Sequence, residues 1–92
     1  MNQDDPYRLA DGIAVRPERF GGLAYSYHDR RLYFIHSHEL AAFTGGLDGT
    51  RPLGAAIAAF RAEHDLGEDA ADAILRSLAM LERMGLIVAA PA

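Results

Sequence analysis

The sequence predicts an α+β fold in which a three-stranded antiparallel sheet is followed by three helices. Two observations carry that prediction. Up to His36 the chain holds short alternating runs of aromatic and β-branched residues separated by turn signals, whereas from Ser37 onward apolar residues recur about every 3.6 positions. The second observation is the stretch from Leu23 to His36, where two apolar arms flank the polar His28-Asp29-Arg30-Arg31 in the manner of a β-hairpin.

Taken in order, residues 1–6 are polar, acidic and end in proline, which predicts a loose tail, with Tyr7, Arg8 and Leu9 beginning to pack. Asp11-Gly12 is a turn signal, and Ile13-Ala14-Val15-Arg16 alternates as a short strand that Pro17 ends. Gly21-Gly22 then permits a bend before the hairpin, which completes a three-strand meander with the second hairpin arm at one edge. With Asp29 and Arg30 as the loop, Tyr27 faces Leu32, Tyr25 faces Phe34 and Leu23 faces His36, and this large apolar face is expected to be core. The other face offers Ala24, Ser26 and His28 on the first arm but Tyr33 and Ile35 on the second. The second arm is therefore apolar on both faces, either sandwiched within the fold or awaiting another element.

In the helical half, Ser37 is placed to cap a first helix carrying Leu40, Phe43 and Leu47 on one side, and Gly45-Gly46 should end it. Thr50 is expected to cap a second helix, with Pro52 in its first turn and Leu53, Ile57 and Phe60 on its apolar face. Asp65-Leu66-Gly67 closes that helix. The third helix should run from about Glu68 to Met84, with Glu68, Asp69 and Asp72 near its start, Arg76 and Arg83 later, and a core stripe of Ile74, Leu78 and Leu81. Leu75, Ala71 and Ala79 give it a second, shallower apolar surface. Gly85 is the C-terminal stop, Leu86-Ile87-Val88 returns as an extended segment, and residues 89–92 read as a loose end.

The 92 residues make one small domain, with an ordered core expected over about 7–88, and no internal repeat or linker divides them. There is no cysteine, so disulfides and cysteine-ligated zinc or iron–sulfur centres cannot come from this chain, which fits a reducing cytoplasm. No run is long enough to span a membrane, and the polar start is not a signal peptide. A net charge of −4 opposes non-specific attraction to nucleic acid or anionic lipid.

The candidate chemistry is sparse. His36 and His38 point to opposite faces of an extended segment, and with His28 they form no metal-ligand signature. The nucleophile elbow, the zinc-protease pair and the phosphate loop are all absent; Gly45-Gly46-Leu47-Asp48-Gly49 lacks a lysine and follows no strand. Three strands and three helices with a tight turn at Asp65-Leu66-Gly67 match the ingredients of a winged helix-turn-helix. As a DNA-binding regulator, however, that fold would present Glu68, Asp69 and Asp72 at the end that approaches phosphates. The apolar second arm beside a helix with a spare apolar surface points instead to β-augmentation, in which a peptide adds as a strand and fills a strand–helix groove. Its competitor is Tyr33 and Ile35 serving simply as core.

The segments Ile13-Ala14-Val15-Arg16-Pro17-Glu18-Arg19-Phe20-Gly21-Gly22-Leu23-Ala24-Tyr25, Arg30-Arg31-Leu32-Tyr33-Phe34-Ile35 and Leu78-Ala79-Met80-Leu81-Glu82-Arg83-Met84-Gly85-Leu86-Ile87 resemble the mycofactocin biosynthesis peptide chaperone family. That family is similar to the pyrroloquinoline quinone chaperone and to the recognition domains of ribosomally made, post-translationally modified peptides. The resemblance spans roughly residues 7–88. It implies a small winged-helix-like domain without catalysis or cofactor of its own, which binds a precursor peptide and presents it to a radical S-adenosylmethionine maturase. The iron–sulfur clusters and S-adenosylmethionine would belong to the maturase. Carried over by position, the peptide site comprises Arg31, Leu32, Tyr33, Phe34 and Ile35 on the strand and Ala71, Leu75 and Arg76 on the third helix. An unpaired strand edge also allows strand exchange or a homodimer.

Overall fold

The computed structural model describes residues 1–90 and contains two small antiparallel sheets and three helices. The first sheet is the expected meander: β2 (Ile13–Glu18), β3 (Gly21–Ser26) and β4 (Leu32–Ile35), in the order β2-β3-β4. The second was not expected. It has the order β5-β1-β6 and joins β1 (Pro6–Leu9), β5 (Asp48–Pro52) and β6 (Ile87–Ala89) from the beginning, middle and end of the chain. Strands therefore do not all precede helices, because β5 separates α1 (His38–Gly45) from α2 (Leu53–His64), and β6 follows α3 (Glu68–Arg83).

Local chemistry explains most helix ends. The Ser37 side chain accepts a hydrogen bond from the Leu40 amide at 3.1 Å and so starts α1 as the sequence indicates. Asp65 takes a left-handed conformation (φ 53°) to end α2, and Gly85 (φ 80°) follows α3. Thr50, in contrast, caps no helix. Its amide and hydroxyl both donate to Asp48 within β5, and Pro52 holds the N-cap position of α2.

Residues 1–6 are not the loose tail that their composition suggests. Gly54 donates its amide to the Gln3 carbonyl and Leu53 donates to the Asp5 carbonyl, each at 2.9 Å, so this segment accepts from the start of α2, where amides lack partners within the helix. Of the expected C-terminal loose end, Ala89 lies in β6 and Ala90 donates to Pro6, while residues 91 and 92 lie outside the described residues.

The main core gathers Tyr7, Phe43, Leu53, Ile57, Phe60, Ile74, Leu78, Leu81, Leu86 and Ile87. These include the predicted stripes of α2 and α3. A smaller cluster of Ala24, Ile35 and Ala41 lies between the β2-β3-β4 sheet and α1, and Tyr33 and Leu40 pack against both clusters.

Candidate functional site

The hairpin turns later than a two-residue loop would allow. Arg30 donates to the Ser26 carbonyl and Ser26 donates to the Arg31 carbonyl, which leaves Tyr27-His28-Asp29-Arg30 as the loop, with Arg30 at φ 61°. The Asp29 carboxylate accepts the Arg31 amide at 3.1 Å and holds this turn. That bond, followed by a bond from Ser26 and the charge of Arg31, lowers the Asp29 pKa below the ordinary carboxylate value. As a result Tyr25 faces Leu32, Leu23 faces Phe34, Ala24 faces Tyr33 and Gly22 faces Ile35, two residues away from the expected pairing.

A two-residue shift keeps each side chain on its own face, yet the expectation about burial is reversed. Ala24, Ser26 and Ile35 are buried, and Tyr33 is half-buried on the same side. Tyr27, Leu32 and Phe34 are the exposed ones, at 63, 57 and 62%. The physical reason is the approach of α1: a Cβ on Gly22 would come within 2.5 Å of the Ala41 Cβ, a spacing that only small residues on the inner face allow.

On the outer face the rings of Phe20 and Phe34 lie 5.5 Å apart, and His36 sits 5.6 Å from Phe20 and 6.2 Å from Phe34. Tyr27 meets Tyr25 edge-on at 5.0 Å and donates its hydroxyl to that of Tyr25 at 3.2 Å, which raises the Tyr27 pKa.

Among the described residues, β4 has a neighbour on one side only. In an antiparallel pair, hydrogen-bonded and non-hydrogen-bonded residues alternate, and the Ser26–Arg31 bond sets the phase. Tyr33 and Ile35 therefore direct their backbone groups toward β3, whereas Leu32 and Phe34 direct theirs outward to the open edge. Just beyond β4, Ser37, Glu39 and Leu40 form one side of a groove of about 350 Å³, and Ala70, Ala73, Ile74 and Ser77 of α3 form the other, with Leu66 at its end. Small side chains on α3 keep this groove open.

The residues expected to form one site are divided by α3. Leu32, Tyr33, Phe34 and Ile35 form β4, Arg31 is exposed at its start with its guanidinium 3.5 Å from Asp29, and Arg76 is exposed on α3. Ala71 and Leu75 face α2 instead, lining a separate hollow of about 320 Å³ with Gln3, Gly54, Ile57 and Arg61. The helical spacing could have revealed this division: positions 70, 73, 74 and 77 share one side of a helix, and 68, 71, 72 and 75 share the opposite one. Among the described residues, no group of three or more His, Asp or Glu side chains is gathered for a metal ion, and no helix is long and apolar enough to cross a membrane.

The peptide chaperone MftB family matches residues 6–88 of this sequence, and the chain belongs to that family. No curated protein and no solved structure matches it. The match covers all three helices, the groove between α1 and α3, and both sheets except Ala89 at the end of β6.

Proposed function

We propose that this peptide chaperone binds the mycofactocin precursor peptide by strand addition at the open edge of β4 and presents it to a radical S-adenosylmethionine maturase. The observation that carries this reading is the unpaired outer edge of β4 at Leu32 and Phe34, followed in the chain by Ser37, Glu39 and Leu40, which line the α1–α3 groove. A peptide strand beside β4 gains main-chain hydrogen bonds worth about 1 kcal/mol net each, and its inward side chains supply the rest by entering the groove. The groove wall on the helix is then Ala70, Ala73, Ile74 and Ser77 in place of Ala71 and Leu75, with the exposed Arg76 available to an acidic peptide residue and Arg31 already paired with Asp29.

In this reading the chain performs no chemistry and holds no cofactor. A DNA-binding role is disfavoured by the exposed Glu68, Asp69 and Asp72 on the first turns of α3.

Calorimetric titration with the precursor peptide encoded nearest the gene tests the reading, with a scrambled peptide and a backbone N-methylated peptide as controls. Saturable binding of the true sequence, lost on scrambling and on N-methylation of alternate residues, is expected. Equal binding of the N-methylated peptide would exclude strand addition. Ala73→Glu should weaken binding about tenfold or more by filling the groove with a charge.

A further inference from the structure

No element among the described residues covers the outer face of β2-β3-β4. Phe20, Tyr27, Leu32 and Phe34 are exposed there, with Leu23 and Tyr25 half-buried among them. Contiguous apolar surface of this kind on one small domain marks an association face. The strand register divides it into rows: Ala14, Tyr25 and Leu32 form one, and Arg16, Leu23 and Phe34 form the next. Beyond the second row lie Glu18 at the β2 margin and, past the end of β4, His36 beside the Phe34 ring. The β4 margin is therefore large and aromatic. The β2 margin is small at Ala14 and ion-paired at Arg16 and Glu18, which are 2.8 Å apart.

These two margins fit each other. A second copy stacked about a twofold axis parallel to β3 places each β4 over the other copy's β2, with the two sheets about 10 Å apart. Leu32 then lies over the second copy's Ala14, Phe34 over its Arg16 and His36 over its Glu18, while Leu23 and Tyr25 meet their own counterparts along the axis. Large side chains face small ones, the guanidinium gains an aromatic ring and the imidazole gains a carboxylate. Stacking about an axis across the strands instead sets Leu32 against Phe34 at one margin and Arg16 against Ala14 at the other. That arrangement wedges the sheets apart on one side and strips water from the ion pair on the other. At about 200 Å² for a whole aromatic side chain, the exposed groups offer on the order of 500 Å² per copy, and about 1,000 Å² in total is enough for a specific but weak dimer.

We infer that the outer face of β2-β3-β4 is a dimer interface between two copies of this chain, with β4 of each stacked on β2 of the other. The twofold axis carries the two open β4 edges to opposite borders of the resulting sandwich, so each remains free for a further strand. The dimer itself requires no peptide. Arg19 and Arg30, exposed in the turns at the two ends of the sheet, bring like charges near their counterparts, so salt that screens them tightens the dimer.

Sedimentation velocity of the purified full chain from about 5 to 500 μM tests the dimer, with a dissociation constant of about 10–100 μM expected for so small an interface. Arg16→Glu lies off β4, and circular dichroism verifies its folding. It should weaken the dimer about tenfold, and Arg16→Lys should restore most of the loss. The absence of cysteine from the chain allows the stacking to be tested by single introduced thiols. Ala14→Cys and Leu32→Cys proteins, mixed and treated with a short bismaleimide, should crosslink to each other in higher yield than either does alone. Leu32→Cys crosslinking chiefly to itself would overturn the assigned stacking. A monomer at every concentration would overturn the inference outright, and binding of phosphatidylglycerol vesicles that Arg16→Glu abolishes would then give the face to a lipid surface. A dimer that the precursor peptide dissociates would place the contact at the β4 edge and overturn the inference as well.

Discussion

The two faces of the β2-β3-β4 sheet carry opposite chemistry to what side-chain size suggests. The inner face is built from Gly22, Ala24, Ser26, Tyr33 and Ile35, and the outer from Leu23, Tyr25, Leu32 and Phe34, continued by Phe20, Tyr27 and His36 beyond the strand ends. The small residues are buried because α1 packs almost directly onto the backbone of β3, and the large ones stay outside because no element among the described residues covers them. Size sets how much surface a residue removes from water if it is covered; it does not decide which face is covered.

The largest expected effect comes from crowding the close approach of β3 to the end of β4. Gly21 has φ 143°, and a Cβ there would collide with the Ile35 carbonyl oxygen, so Gly21→Ala should cost about 4 kcal/mol from strain and overpacking together. Urea denaturation measures it, and a loss below about 1 kcal/mol would mean that β3 and β4 are less closely held than described.

A matched pair then separates the faces. Ile35→Ala should destabilise by about 3 kcal/mol, as for a buried aliphatic side chain, whereas Phe34→Ala, one residue away, should change stability by no more than about 0.5 kcal/mol. Equal losses in the two variants would erase the distinction between inner and outer face.

The smallest effect concerns the loop that sets the register. The lowered pKa of Asp29 means that its hydrogen bonds support the fold above the unfolded value of about 3.9 and are lost as pH falls through the lower folded value. Because Asp29 is exposed, the global stability change should be slight. Carbon-detected titration should place its midpoint below that of an unstructured aspartate, with the Arg31 amide shift following the same curve. An ordinary midpoint would remove the carboxylate from the turn.

The sequence by itself determined the elements whose signals are local. The Ser37 cap, the Leu53-Ile57-Phe60 and Ile74-Leu78-Leu81 stripes, the stop at Gly85 and the three-strand meander each follow from chemistry within a few residues. The resemblance of its motifs also identified the family. Only the tertiary structure decided the rest. The β5-β1-β6 sheet joins segments more than 30 residues apart, and β5 (Asp48–Pro52) carries glycine, proline and an Asp–Thr pair that read locally as a helix connection. Helical spacing separates the two sides of α3, but which neighbour lines each side depended on where α1 and α2 came to rest. Alternation along a strand tells which residues share a face, but the burial of that face is conferred by a distant element, and no periodicity within the strand encodes that element's approach.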